Sequence, residues 1–116
     1  MSASALGDGL RMLGLFVLAG AAEIVGGWLI WQWLRLERPW PLGLVGGVLL
    51  VGYSVLATLQ QEPHFGRVYA AYGGIFIVMA LLWARTVDGF RPDRWDIIGA
   101  ALCLVGVGVM MLIPRT

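Results

Sequence analysis

The strongest constraint on this chain is where charge is missing. From Met12 to Leu34 the only charged side chain is Glu23, and Trp40–Leu59, Val68–Ala84 and Ile97–Ile113 carry none. Runs of this length match the roughly 20 apolar residues that a helix needs to cross a bilayer's hydrocarbon core. They are continuous rather than alternating, and backbone groups in lipid must be satisfied within the structure, so helices are expected rather than strands. The expected fold is an all-α membrane protein of four transmembrane helices, spans near 12–34, 40–59, 68–84 and 97–113, forming a single domain over 1–116.

Charge, proline and glycine punctuate the runs. Arg35, Glu37, Arg38 and Pro39 close the first. Pro41 suits the first turn of the second, where a missing N–H costs little. Gln60, Gln61, Glu62, Pro63 and His64 end the second, Arg67 and Arg85 bracket the third, and Pro114 and Arg115 stop the fourth. Spans three and four are short and should cross with little tilt. Trp28, Trp31, Trp33, Trp40, Trp83 and Trp95 fit interfacial belts. Arg11, the apolar stretch 12–18 and the small residues Ala19–Ala21 loosely imitate a signal peptide. The apolar run continues past that point, so a retained span is expected.

With 59% hydrophobic and only 13% charged residues, the chain lacks the polar surface of a water-soluble domain, which usually carries about 25% charge. Net charge is +1 and there is no lysine; no basic patch suggests nucleic acid as a partner. Cys103 stands alone and reads as a packing residue. Four spans put both termini on one side, with Arg11, Arg67 and Arg115; the other side carries Arg35, Arg38, Arg85, Arg91 and Arg94. The bias leans toward cytoplasmic first and third loops, by a margin small enough to allow dual topology. Small residues at Gly43/Gly47, Ala19/Glu23/Gly27 and Gly99/Cys103/Gly106 would let helices approach closely, so a homodimer is expected in the bilayer.

Glu23 is the sharpest candidate. A carboxylate at the bilayer centre is expensive, and such residues usually serve ion or proton pathways. No arginine falls at matching depth in another span, so the expected counter-charges are a proton, a cationic solute or polar side chains. One carboxylate cannot stably hold a proton and an organic cation together, and that exclusion is enough to couple two fluxes. Tyr69, Tyr72, Gly73 and Phe76 share one face of span three, and aromatic faces attract cations where water is excluded. Gly73 and Gly74 would let that face approach span one. Trp31 lies two turns beyond Glu23. Tyr53 and Ser54 are polar groups in span two, and His64 is a loop histidine. No metal cluster, phosphate loop or nucleophile–base pair occurs, so neither catalysis nor a cofactor is expected.

These residues carry a family resemblance. Gly66-Arg67-Val68-Tyr69-Ala70-Ala71-Tyr72-Gly73-Gly74 and Val87-Asp88-Gly89 resemble the YnfA-type small membrane proteins, from about Gly9 to Thr116. That group resembles the small multidrug resistance (SMR) transporters: Ala22-Glu23-Ile24-Val25-Gly26 is similar to their first-helix motif, as are Trp40-Pro41 and the Tyr69/Tyr72 pair. The resemblance implies an antiparallel homodimer in the bacterial inner membrane that exports organic cations against protons. Glu23 of each subunit would bind proton and substrate in turn, with Tyr69, Tyr72 and Trp31 as substrate aromatics and Gly99, Cys103 and Gly106 at the helix-four dimer contact. Tyr72 stands where the multidrug members commonly have Trp, and span two offers Leu49 and Gly52 where they usually present a hydroxyl or aromatic, which favours broad cation export over guanidinium export. The alternative is an accessory or lipid-carrier flippase subunit without cation transport of its own.

Overall fold

The computed structural model describes residues 3–113, with side chains described from residue 5. Four helices account for most of it: α1 (Ala3–Leu34), α2 (Pro41–Ala57), α3 (Phe65–Thr86) and α4 (Arg94–Leu112). Three of them are long and apolar enough to cross a membrane, and α2 is a shorter apolar helix. The short element is therefore α2: its 17 residues reach about 26 Å, whereas the 22 of α3 reach about 33 Å at 1.5 Å per residue. The expected stop at Pro114 and Arg115 lies outside the described residues.

Where the sequence suggests one domain, the backbone divides into two compact units, Met1–Gln61 and Glu62–Thr116. Each is a helical hairpin, α1 with α2 and α3 with α4.

Local chemistry explains the helix limits. Pro41 opens α2 as expected. That helix tightens at its end, with Thr58, Leu59 and Gln60 N–H groups donating to Val55, Leu56 and Ala57 carbonyls at 3.0, 3.1 and 3.4 Å. Such three-residue turns satisfy carbonyls that a helix end leaves over. α4 begins at Arg94, before the expected span, because Asp93 accepts from the N–H groups of Trp95 and Asp96, both at 3.0 Å. The Asp96 carboxylate returns the bond to the Asp93 N–H at 3.0 Å. This reciprocal cap satisfies orphan donors and draws charged residues into the helix.

The two hairpins repeat one loop design. After α1, Arg35 and Leu36 N–H groups reach Trp31 O at 2.8 and 3.3 Å, and Arg38 N–H reaches Gln32 O at 3.1 Å. After α3, Val87 and Asp88 reach Trp83 O at 2.8 and 3.4 Å, and Phe90 reaches Ala84 O at 2.9 Å. The chain reverses through a left-handed residue each time, Glu37 (φ 55°) and Gly89 (φ 72°). Glycine adopts that conformation freely and glutamate pays for it.

In the first hairpin, glycine meets glycine. A Cβ on Gly26 would stand 2.8 Å from Gly46 O, and one on Gly46 would stand 2.6 Å from Gly26 O. The Trp33 ring occupies the space where a Cβ on Gly43 would go. The inward pair on α2 is thus Gly43 and Gly46; a Cβ on Gly47 or on Gly27 would meet no described atom within 4 Å. At the other end of this hairpin, Arg11 Nη2 donates to Leu59 O at 3.1 Å and Gln60 Nε2 to Met12 O at 3.0 Å.

Candidate functional site

Glu23 stands midway along the apolar part of α1, twelve residues from Arg11 and twelve from Arg35. That is about 18 Å from either charge along the helix, just over half the roughly 30 Å hydrocarbon thickness. It is half-buried. Helical spacing puts it on one face with Ala19, which is 2% exposed, and with Gly26, the contact point on α2. The α2 residues beside Gly26 are apolar: a Cβ there would meet Leu50 Cγ at 3.1 Å and Leu49 Cβ at 3.2 Å. Leu49 therefore packs toward α1. Ser54 is exposed and bonds back to Leu50 O at 3.4 Å in its own helix, whereas Tyr53 is half-buried.

In the second hairpin the aromatic residues of α3 form a continuous ladder. Ring centroids are 4.3 Å apart for Phe65–Tyr69, 6.5 Å for Tyr69–Tyr72 and 5.6 Å for Tyr72–Phe76. It runs from Phe65, 74% exposed, through Tyr72, 5% exposed, to Phe76. The i, i+4, i+7, i+11 spacing keeps one face. Phe65 lies before the expected start of span three at 68; the α3 start at Phe65 makes it the first rung. Gly74 brings α3 onto α4: a Cβ would stand 3.2 Å from Cys103 O and would clash with Val107 Cγ2. Gly73 is exposed, and a Cβ there would meet no described atom within 4 Å.

The remaining candidates are dispersed. Trp31 is 53% exposed and carries the Arg35 guanidinium over its ring at 4.8 Å. Arg94 covers Trp95 in the same way at 4.9 Å. Cys103 sets its carbonyl against Gly74 within the hairpin, whereas Gly99 and Gly106 are exposed. Among the described residues no three His, Cys, Asp or Glu side chains gather as a metal set.

The start of the second hairpin holds a charged cluster. Glu62 Oε1 contacts His64 Nδ1 at 2.7 Å and accepts from the His64 N–H at 3.2 Å. Glu62 Oε2 accepts from Arg67 Nη1 at 3.1 Å. The hydrogen bond from the His64 ring, with further help from the His64 N–H and the Arg67 charge, holds the Glu62 carboxyl below its ordinary value.

A family model described as "Uncharacterised BCR, YnfA/UPF0060 family" matches residues 10–116. The chain belongs to the YnfA/UPF0060 family. A UPF0060 membrane protein of Halalkalibacterium halodurans is 60% identical over 101 residues, covering 87% of this chain and 94% of its own. One from Desulfitobacterium hafniense is 58% identical with the same coverage. One from Staphylococcus haemolyticus is 58% identical over 102 residues, covering 88% and 94%. No solved structure matches significantly. With these bacterial relatives and three helices able to cross a membrane, this YnfA/UPF0060 member is a multi-pass bacterial membrane protein.

Proposed function

We propose that the protein is a proton-coupled exporter of small hydrophobic organic cations, a transporter rather than an enzyme, working as a homodimer. The observation that carries the reading is Glu23 at the middle of α1, half-buried and flanked by Ala19 and Gly26. An acid at that depth is costly to keep and is retained where its charge is used. Transfer from water favours the protonated form of any carboxyl group. An organic cation entering the site supplies the charge that lets the carboxylate ionise, and its departure invites a proton back. Because one carboxylate holds one or the other, binding is mutually exclusive and the fluxes run in opposite directions.

The Phe65–Tyr69–Tyr72–Phe76 ladder supports the cation half of this reading. Each aromatic face contributes about 0.5–2 kcal/mol toward a cation, more where water is excluded. A stair of rings from the exposed start of α3 to the buried Tyr72 offers a lipophilic cation successive contacts. The likeness of the Glu23 motif to that of the SMR transporters points the same way.

The test is transport of tetraphenylphosphonium by protein in phosphatidylethanolamine–phosphatidylglycerol vesicles. An imposed proton gradient should drive the cation uphill, and Glu23→Gln should abolish this. Normal transport by the Gln variant would refute the mechanism. Absence of both binding and transport by wild type, with a second protein co-purifying, would favour the accessory-subunit reading.

A further inference from the structure

The clasps that close the two hairpins are built alike but not identically. In the first, Arg11 of α1 donates to Leu59 O; in the second, Arg67 Nη2 of α3 donates to Met110 O in the last turn of α4 at 2.9 Å. Both carbonyls stand four residues before a proline, Pro63 and Pro114. Leu59 lies in the turn past the end of α2 and Met110 in the last turn of α4, and each carbonyl accepts from an arginine of the paired helix. The partial negative charge at a helix C-terminus favours a cation there.

The second clasp has more. Glu62 fixes the other arm of the Arg67 guanidinium at 3.1 Å and is itself held by His64. The Met111 thioether lies 3.6 Å from Nη2. Arg67 sits within the first turn of α3, between Phe65 and Tyr69, so what fixes it fixes the base of the aromatic ladder. We propose that Arg67 is a positioning residue for cation binding: clamped between Glu62 and the end of α4, it holds the Phe65–Tyr69–Tyr72 rungs in register. This rests on the exporter reading for what the ladder binds, but not for the clasp itself. The groups around Glu62 are His64 and Arg67 from its own segment and α3, and Met110 and Met111, both uncharged, from α4. The Glu62 carboxyl is held below its ordinary value by the His64 hydrogen bond, so it keeps its charge near neutral pH. The clasp is a fixed scaffold while Glu23 changes state.

The experiment compares wild type, Arg67→Lys, Arg67→Gln and Glu62→Gln in the same vesicles, with tetraphenylphosphonium as probe. Losing a charge-assisted hydrogen bond should raise the apparent KM about tenfold in Arg67→Gln. Vmax and the midpoint of the pH profile should stay put. Arg67→Lys, which keeps a donor for Met110 O, should recover most of the affinity, and Glu62→Gln should fall between. A general folding defect would instead lower Vmax, and lysine would not restore KM selectively. Hydrogen exchange of the α3 first turn reads the clasp independently of transport and should speed about tenfold in Arg67→Gln. If wild type moves no cation, the exporter reading fails while exchange still decides the clasp. Unchanged KM and unchanged exchange in Arg67→Gln would overturn the proposal.

Discussion

Gly46→Ala is the substitution whose effect the first hairpin fixes most closely. The added methyl would stand 2.6 Å from Gly26 O, 3.0 Å from Ile30 Cγ1 and 3.1 Å from Leu29 Cβ. The nearest atom is backbone, so no side-chain rotation relieves it and α1 must move away from α2. Overpacking of this kind costs about 1–3 kcal/mol. Alanine also returns about 1 kcal/mol of helix propensity relative to glycine. Gly47→Ala provides the control, because it gains the same propensity and its methyl meets no described atom within 4 Å. The propensity gain cancels between the two variants, leaving Gly46→Ala about 1–3 kcal/mol less stable. Unfolding in mixed dodecyl maltoside–dodecyl sulfate micelles, followed by tryptophan fluorescence, measures the difference. With Gly26→Ala already present, the second substitution should cost less than it does alone, since the helices are already apart. Equal stability of Gly46→Ala and Gly47→Ala would refute the glycine–glycine contact.

Four further outcomes follow from local geometry. Glu37→Gly should stabilise the first hairpin by up to about 1 kcal/mol by relieving the left-handed conformation, and Gly89→Ala should destabilise the second by about 1 kcal/mol, both read by the same micelle titration. Asp93→Ala removes the acceptor for the Trp95 and Asp96 N–H groups and should cost about 1 kcal/mol, seen as faster hydrogen exchange in the first turn of α4. Glu62 has a carboxyl held below its ordinary value of 4.5, chiefly by the His64 hydrogen bond, so it stabilises the fold fully above that value. The contribution disappears as pH falls through the lower folded-state value. The melting temperature of wild type should fall over that acidic window, and that of Glu62→Gln should fall less.

The four apolar runs made the helices legible, because lipid-crossing length and missing charge leave little freedom. The limits shifted where a side chain intervened. The fourth span is expected from 97, and α4 begins at Arg94 because Asp93 and Asp96 bond reciprocally. Glycine contacts were harder to assign. Gly43, Gly46 and Gly47 offer overlapping small-residue frames, as do Gly26 and Gly27, and only the crossing of α1 with α2 selects Gly43, Gly46 and Gly26. Glu23 stood out in the sequence because an acid in an apolar run is costly to place at mid-membrane depth. The Tyr69–Tyr72–Phe76 face followed from helical spacing, whereas Phe65 lies before the expected start of span three at 68. Arg11 and Arg67 looked like boundary charges. Their donor roles depend on which carbonyl the paired helix presents.

The central claim is that Glu23 trades a proton for a cation. Its most direct test is the proton released when tetraphenylphosphonium binds purified protein in weakly buffered detergent solution near neutral pH. The account predicts measurable acidification that saturates with cation binding and vanishes in Glu23→Gln. Saturable cation binding with no proton release at any pH, or the same release from Glu23→Gln, would contradict it.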